Sequence, residues 1–453
     1  MGMENKITLS PRQTARNLAH CLLVLVPLSL MSACDWIGIV SVSHDRSPPD
    51  ASSYSASISA DGRYVAFYSE ATNLVVGDTN QSTDVFVYDS LDRTTVRAGL
   101  SNNGEQAAGG TYYPRISGNG RYVVFHASSA DLVDGDTNEV VDVFVRDLQQ
   151  GETFMVSVNS SGEAGNDHSN FADISHAGRY VVFQSDATNL VEDDTNNQQD
   201  IFLRDIDAGT TTRVSLGNGG VESRGISFYP RISPDGGRIA FRSERYSLWL
   251  GSSHQDEIFV FDRHTDMLSA VCVDDEGVEP NNICLYPDLS DDGRFVTFWS
   301  QADNLVDGDT NGEPDTFVHD LLTRTTTRVS VDNEGGQAQP RTFHTGRSSI
   351  SADGRYVAFS SSAQLHPDDV FNAWNDIYVH DRQTGTTLLA STNHEWHGNN
   401  HSYKPDISAD GRYLAFDSWS DNLVANDTND QKDIFLKVRP GLAITSVSPS
   451  PVS

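Results

Sequence analysis

The sequence predicts an all-β protein, a seven-bladed β-propeller of four-stranded antiparallel blades closed by an N-terminal strand. Three observations carry this expectation. A hairpin signature recurs seven times: ISADGR from Ile58, ISGNGR from Ile116, ISHAGR from Ile174, ISPDGG from Ile232, LSDDGR from Leu289, and ISADGR again from Ile350 and Ile407. The intervals are 58, 58, 58, 57, 61 and 57 residues, and so steady a period marks a repeat architecture. The 453 residues also hold 35 glycines and many short Val/Ile/Phe/Tyr runs, which favour short strands over helices. Finally, Ile39-Val-Ser-Val-Ser43 reads as the last strand of a blade, yet it precedes the first copy.

Each copy reads as four strands. The first ends in Ile-Ser, and an Asp-Gly-type turn follows, a strong hairpin signal. The second, such as Arg63–Phe67, alternates large and small residues. After a polar loop comes a third, such as Asp84–Asp89, and a Thr-rich turn leads to a fourth, such as Thr212–Ser215. A single blade cannot bury both of its faces, so each needs its neighbours. Ring closure is expected from residues 37 to 43 completing blade seven; Ala443–Ser448 is the rival closing strand. With Pro449 and Pro451, that C-terminal stretch (residues 441 to 453) also looks like the opening of an immunoglobulin-like module.

Residues 1 to 33 read as an export signal ahead of a propeller over 34 to 440. Lys6, Arg12 and Arg16 form a basic start, and Cys21–Leu30 is an apolar run too short to span a bilayer. Leu30-Met31-Ser32-Ala33-Cys34 is similar to a bacterial lipoprotein processing site, which makes Cys34 the expected lipidated residue. A plain secretory signal cut near Ala33 is the alternative. The expected location is the periplasm or the cell surface, with membrane contact only through the lipid anchor, and the chain is expected as a monomer. Cys272 and Cys284 could pair in an oxidising compartment and tie one blade to the next, or lie at different radii and stay apart.

The chain holds 31 basic and 63 acidic residues, a formal net charge of -32. Such a surface repels nucleic acid and attracts cations or basic partners, so nucleic-acid binding is not expected.

These repeats, across about 400 positions, resemble the TolB-like (WD-like) propeller repeats of bacterial envelope proteins. The resemblance is to the repeat and not to TolB as a whole, which has six blades and an N-terminal domain of its own. It implies the fold and says little about function.

The loop between the second and third strands carries the richest motif. Blade two offers Asp134, Asp136, Asn138 and Asp142, and blade five offers Asp307, Asp309, Asn311 and Asp315. Blade three has Glu192, Asp194, Asn196 and Asp200. Blade one keeps Asp78, Asn80 and Asp84 with Val76 in the first place, and blade seven keeps Asp427, Asn429 and Asp433 with Ala425 there. Oxygen ligands at positions 1, 3, 5 and 9 suit calcium, so structural calcium is expected, best in blades two and five. These are not EF-hands: blade two has Val145 where a bidentate glutamate would stand. The alternative is that Asp and Asn form side-chain-to-backbone turns, the last Asp bracing the third strand.

Two further sets face the channel. His168, His344 and His401 stand seven residues before the signature Ser, with His394, Trp396 and His397 nearby. A transition metal held there would make a lyase-like enzyme on extracellular polysaccharide, by analogy with seven-bladed lyases that act on uronic-acid oligosaccharides. Two residues before the signature Ser stand Arg115, Asp173, Arg231, Asp288 and Asp406, with Ser57 and Ser349 completing the ring; this set reads as an inter-blade ion-pair belt. No G-x-S-x-G, H-E-x-x-H or phosphate-binding glycine loop occurs, and His394-Glu-Trp-His397 is one residue short of the zinc motif. The expected role is therefore a calcium-supported binding module for an envelope protein or glycan. Its docking surface is expected on the face with the long fourth-to-first-strand connections, such as Asn159–Ser169 and Asp332–Ser348.

Overall fold

The signature sequence builds its turn from its own side chains. In the first copy Ser59 Oγ donates to Asp61 Oδ1 (2.6 Å) and accepts from the backbone N–H of Tyr64, while the N–H of Arg63 also reaches Asp61. Gly62 takes φ +75°, and a Cβ placed on it would lie 2.1 Å from the ring of Tyr413 in blade seven. Glycine is thus demanded twice, by backbone conformation and by close approach of the preceding blade. The arginine that follows pairs with the aspartate ending the third strand. Arg63–Asp89, Arg121–Asp147, Arg179–Asp205, Arg238–Asp262, Arg294–Asp320 and Arg355–Asp381 meet at 2.5 to 3.0 Å.

The computed structural model describes residues 36–244, 248, 256–337, 346–369, 374–393, 396–425 and 427–439. They form seven four-stranded antiparallel sheets, and blade one runs Ser53–Ile58, Tyr64–Ser69, Asp84–Asp89 and Thr94–Arg97 from the inside out. In blade seven the strands Ser402–Ile407, Tyr413–Ser418 and Asp433–Val438 are completed by Trp36–Ile39, in the register Trp36↔Val438 and Ile39↔Phe435. The N-terminal strand closes the ring, as its sequence predicts. The export signal, Cys34, His344, His394 and Ala443–Ser448 lie outside the described residues.

Each blade centres on one stacked aromatic pair. Phe67–Phe86, Phe125–Phe144, Phe183–Phe202, Phe241–Phe259, Phe298–Phe317, Phe359–Tyr378 and Phe416–Phe435 stand 5.7 to 6.2 Å apart. Burying a ring of this size stabilises by about 2–3 kcal/mol. The second-strand alternation packs blade on blade: Ala66 and Val87 of blade one meet Ile116, Val123 and Phe125 of blade two.

Cys272, just past the outer strand of blade four, forms a disulfide with Cys284, which opens the inner strand of blade five. Both are buried in the core shared by the two blades, so this bond links neighbours across their radii.

Gly62→Ala should lower stability by at least about 2 kcal/mol, because strain at positive φ and a steric clash act together. Gly77→Ala, at φ +84° with nothing within 4 Å of the added Cβ, isolates the strain alone. Urea denaturation of the two variants should separate them, with Gly62→Ala clearly the worse.

Candidate functional site at the mouth of the central channel

The inner strands do not run straight. In blade one, Tyr54 pairs with Tyr68 and Ser57 with Ala66, so three steps on the inner strand oppose two on its partner. The same bulge recurs in blades two, three, four, five and seven. At each, a non-glycine residue takes positive φ: Ser55 (54°), Tyr113 (48°), Phe171 (45°), Tyr229 (51°), Tyr286 (57°) and Lys404 (49°). Proline follows in four of them, as Pro114, Pro230, Pro287 and Pro405, where a bulge requires no ladder N–H. A bulky residue at positive φ costs on the order of 1–3 kcal/mol, and bulges re-aim side chains beside functional sites.

Here they aim into the channel mouth. The rings run Tyr113–Phe171 (4.9 Å), Phe171–Tyr229 (5.2 Å) and Tyr229–Tyr286 (5.3 Å), an aromatic arc over four blades. Arg347 continues it, with its guanidinium 5.1 Å from the centre of the Tyr286 ring, and Lys404 Nζ lies 5.4 Å from that of Tyr113. Lys404 also donates to Ser55 Oγ (2.7 Å), and burial brings its ammonium down to about 8. The cavity that these residues line is set around the third to fifth positions of the inner strands, such as Tyr113, Pro114 and Arg115 of Thr111–Ile116.

Beneath the arc lies the charge belt, and its members are matched to one another. Arg115 reaches Asp173 (3.2 Å) and Asp406 (3.3 Å), and Arg231 reaches Asp288 (3.6 Å). Belt oxygens also accept the signature N–H of the next blade: Ser57 from Ile116, Asp173 from Ile232, Asp288 from Ile350, Ser349 from Ile407 and Asp406 from Ile58. Burial, opposed by Arg231 and Arg115, leaves the Asp288 carboxyl raised to about 6. The ion-pair belt read from the sequence is therefore built as a staple between blades. By contrast, no described carboxylate lies within ion-pair distance of Arg347 or Lys404. The lining carries four cations (Arg115, Arg231, Arg347, Lys404) and two carboxylates (Asp288, Asp406), a net positive wall in a chain of net -32.

The Asp-Asn loops stand elsewhere, between the second and third strands. Their first-position residues, Asp134, Glu192 and Asp307, are exposed and make no ion pair among the described residues. The asparagines act as turn formers and staples. Asn80, Asn138, Asn196, Asn311 and Asn429 accept the N–H two residues on. The amide groups of Asn80, Asn138, Asn196 and Asn429 reach Ala107, Gly165, Ser223 and Pro49 across to the next blade. The ninth-position aspartate caps the third strand. Asp142, Asp200, Asp315 and Asp433 accept from Ser157, Ser215, Ser330 and Ser41.

In three of these loops a side chain supplies the positive charge. Arg97 Nη2 lies 2.9 Å from Asp78 and its Nε 3.4 Å from Asp84. Arg213 Nη1 lies 3.0 Å from Asp194 and 3.3 Å from Asp200, and Arg328 Nη1 lies 3.0 Å from Asp309 and 3.4 Å from Asp315. The place where calcium is expected in blades one, three and five thus holds a guanidinium nitrogen. Blades two and seven have no arginine there, since Met155 and Ile39 take the equivalent register positions.

The two described histidines of the predicted set, His168 and His401, each serve another contact. His168 Nδ1 accepts the N–H of Val141, and His401 Nδ1 accepts that of Asn375, each at 3.0 Å, so both link a blade to the one before it. Among the described residues no group of three or more His, Cys, Asp and Glu side chains comes together.

No family model matches the chain, and no curated protein matches it. Solved structures share its fold. An oligogalacturonate lyase in complex with manganese aligns over 90% of this chain and 94% of its own, at 12% identity and TM-score 0.52. An oligogalacturonate lyase from Vibrio parahaemolyticus gives 90% and 97%, at 13% identity and TM-score 0.51. A putative TolB from Agrobacterium tumefaciens covers 61% of this chain and 80% of its own, at 17% identity and TM-score 0.40. At these identities the likeness is one of fold.

Asp406→Ala should cost about 3 kcal/mol or more, since it strands the partly buried Arg115 and the Ile58 N–H together. Thermal unfolding beside Arg347→Ala, which belongs to no staple, checks this. A large loss is expected for Asp406→Ala and almost none for Arg347→Ala.

Proposed function

We propose that this chain is an exported envelope propeller that binds an acidic glycan at its channel mouth. The observation that carries the reading is the junction of an aromatic arc with two cations, Arg347 and Lys404, that no described carboxylate contacts as an ion pair. Aromatic faces stack on the apolar faces of sugar rings, and charge-assisted hydrogen bonds hold carboxylates. A uronate oligosaccharide combines both demands, and it is the substrate class in the names of two fold neighbours. A neutral chain would leave the cations unused, and a basic protein would be repelled by them.

Export and a lipid anchor at Cys34 belong to the same proposal. The Cys272–Cys284 disulfide is in keeping with an oxidising compartment outside the cytoplasm. Membrane contact would run through the anchor alone, leaving the mouth free to meet ligand.

Titration calorimetry with oligogalacturonate and with a neutral oligosaccharide of equal length tests the reading. The acidic ligand should bind and the neutral one should not. Arg347→Ala and Lys404→Ala should each weaken binding roughly 10- to 100-fold, since a hydrogen bond to a charged group contributes about 1.5–3 kcal/mol. Equal binding of both sugars, or full affinity in the variants, would contradict it.

Because burial lowers Lys404 to about 8, its charge is complete below that pH and lost above it. Affinity for the acidic ligand should therefore fall between pH 7 and about 9, a range read from the same lysine. Lys404→Arg should flatten that profile.

A further inference from the structure

One register position on the outer strand divides the blades. It holds Arg97, Arg213 and Arg328 in blades one, three and five, opposite Phe86, Phe202 and Phe317. Opposite Phe144 and Phe435, in blades two and seven, it holds Met155 and Ile39. The carboxylates that the arginines bridge are nevertheless retained in both: Asp136 with Asp142, and Asp427 with Asp433.

These retained pairs are buried. Asp136 is 8% exposed and Asp427 7%, and Asp142 and Asp433 are fully enclosed. Asp136 Oδ1, Asp427 Oδ1 and Asp433 Oδ2 are shielded from solvent with no hydrogen-bond partner, and no cation pairs with any of the four carboxylates among the described residues. In blade seven the nearby Lys432 is committed to Asp417 at 2.8 Å. Two buried carboxylates side by side without a positive charge would be strongly unfavourable, so something must neutralise them.

The arginine blades show where that charge belongs. A single nitrogen, Arg213 Nη1, stands 3.0 Å from Asp194 and 3.3 Å from Asp200, and Arg328 Nη1 occupies the same point between Asp309 and Asp315. In blades two and seven a free ion can take that place. From these distances we infer that blades two and seven each hold one divalent cation, calcium, at the point that arginine fills in blades one, three and five.

Calcium suits the site better than other metals. The ligand atoms the pair offers are carboxylate oxygens, Asp142 Oδ2 also accepting the Asn138 amide N–H at 2.8 Å, and water can complete the shell. Magnesium demands a tighter octahedron and yields its water reluctantly. Calcium–oxygen distances of about 2.3–2.6 Å require the carboxylates to draw in by roughly 0.7 Å from their arginine spacing, an adjustment that loop residues can make.

The test uses the full chain, stripped with EGTA and titrated with calcium chloride, with bound metal also counted by mass spectrometry. The wild type should bind two calcium ions and unfold at a higher temperature in calcium than in EGTA. Met155→Arg, which imports the arginine of the sister blades, should bind one. Met155→Arg with Ile39→Arg should bind none and lose the thermal shift. Asp136→Asn and Asp427→Asn, which keep shape and turn hydrogen bonds, form a second arm and should each remove one ion. Absence of binding in the wild type overturns the inference, and leaves a shared proton as what neutralises each pair. Undiminished binding in the double arginine variant overturns it too.

Discussion

The ring depends on a buried acid at the head of every third strand. Asp84, Asp142, Asp200, Glu257, Asp315, Asp376 and Asp433 occupy this one position around the seven blades, none more than 4% exposed. In blades two, three, five, six and seven the acid accepts a serine hydroxyl from just beyond the outer strand, and that serine accepts the next N–H of the third strand. In blade seven the serine is Ser41, so the contact that orders the third strand also fastens the N-terminal strand into the last blade. Burying a carboxylate is costly unless it is bonded and neutralised. The loops above these acids can be understood as ways of meeting that cost: asparagine amides in most blades and arginine in three.

A second set of contacts works nearer the axis. The belt oxygens take the signature N–H of the adjacent blade and the belt arginines bind the carboxylates, so the inner wall is closed by polar bonds between blades. Those groups are thereby removed from ligand chemistry. What remains is the layer above, where bulges turn the aromatic rings and Lys404 inward and Arg347 of blade six joins them. The division of labour is spatial. One residue of the inner strand, at the fifth position, holds the ring, and another, two positions earlier, lines the cavity.

Much of this was legible in the sequence. The repeat period, the four-strand blade, closure by the N-terminal strand and the alternating belt all follow from patterns with fixed spacing. The mouth was not, for a physical reason. A bulge interrupts the period-2 alternation that tells which way a strand residue points, so Tyr113, Phe171, Tyr229 and Tyr286 could not be assigned to the channel by counting. The Tyr-Pro and Lys-Pro pairs three to four residues before the signature Ser mark the bulge, and they are the signal to look for. The arginine between the loop carboxylates was hidden differently. It lies thirteen residues beyond the ninth-position aspartate on another strand, as Asp200 and Arg213 do, so no local motif connects the two. Asp-x-Asp-x-Asn alone reads as a calcium loop; only the outer strand says whether the charge is already supplied.

The central claim is that the buried carboxylate pair of each Asp-Asn loop has a cation, from an arginine in blades one, three and five and from solution in blades two and seven. A crystal structure of the protein grown in calcium, with anomalous scattering recorded to mark the ion, tests it most directly. The account predicts a metal peak between Asp136 and Asp142 and another between Asp427 and Asp433, with guanidinium density alone in blades one, three and five. Metal in the arginine blades, or none in blades two and seven, would contradict it.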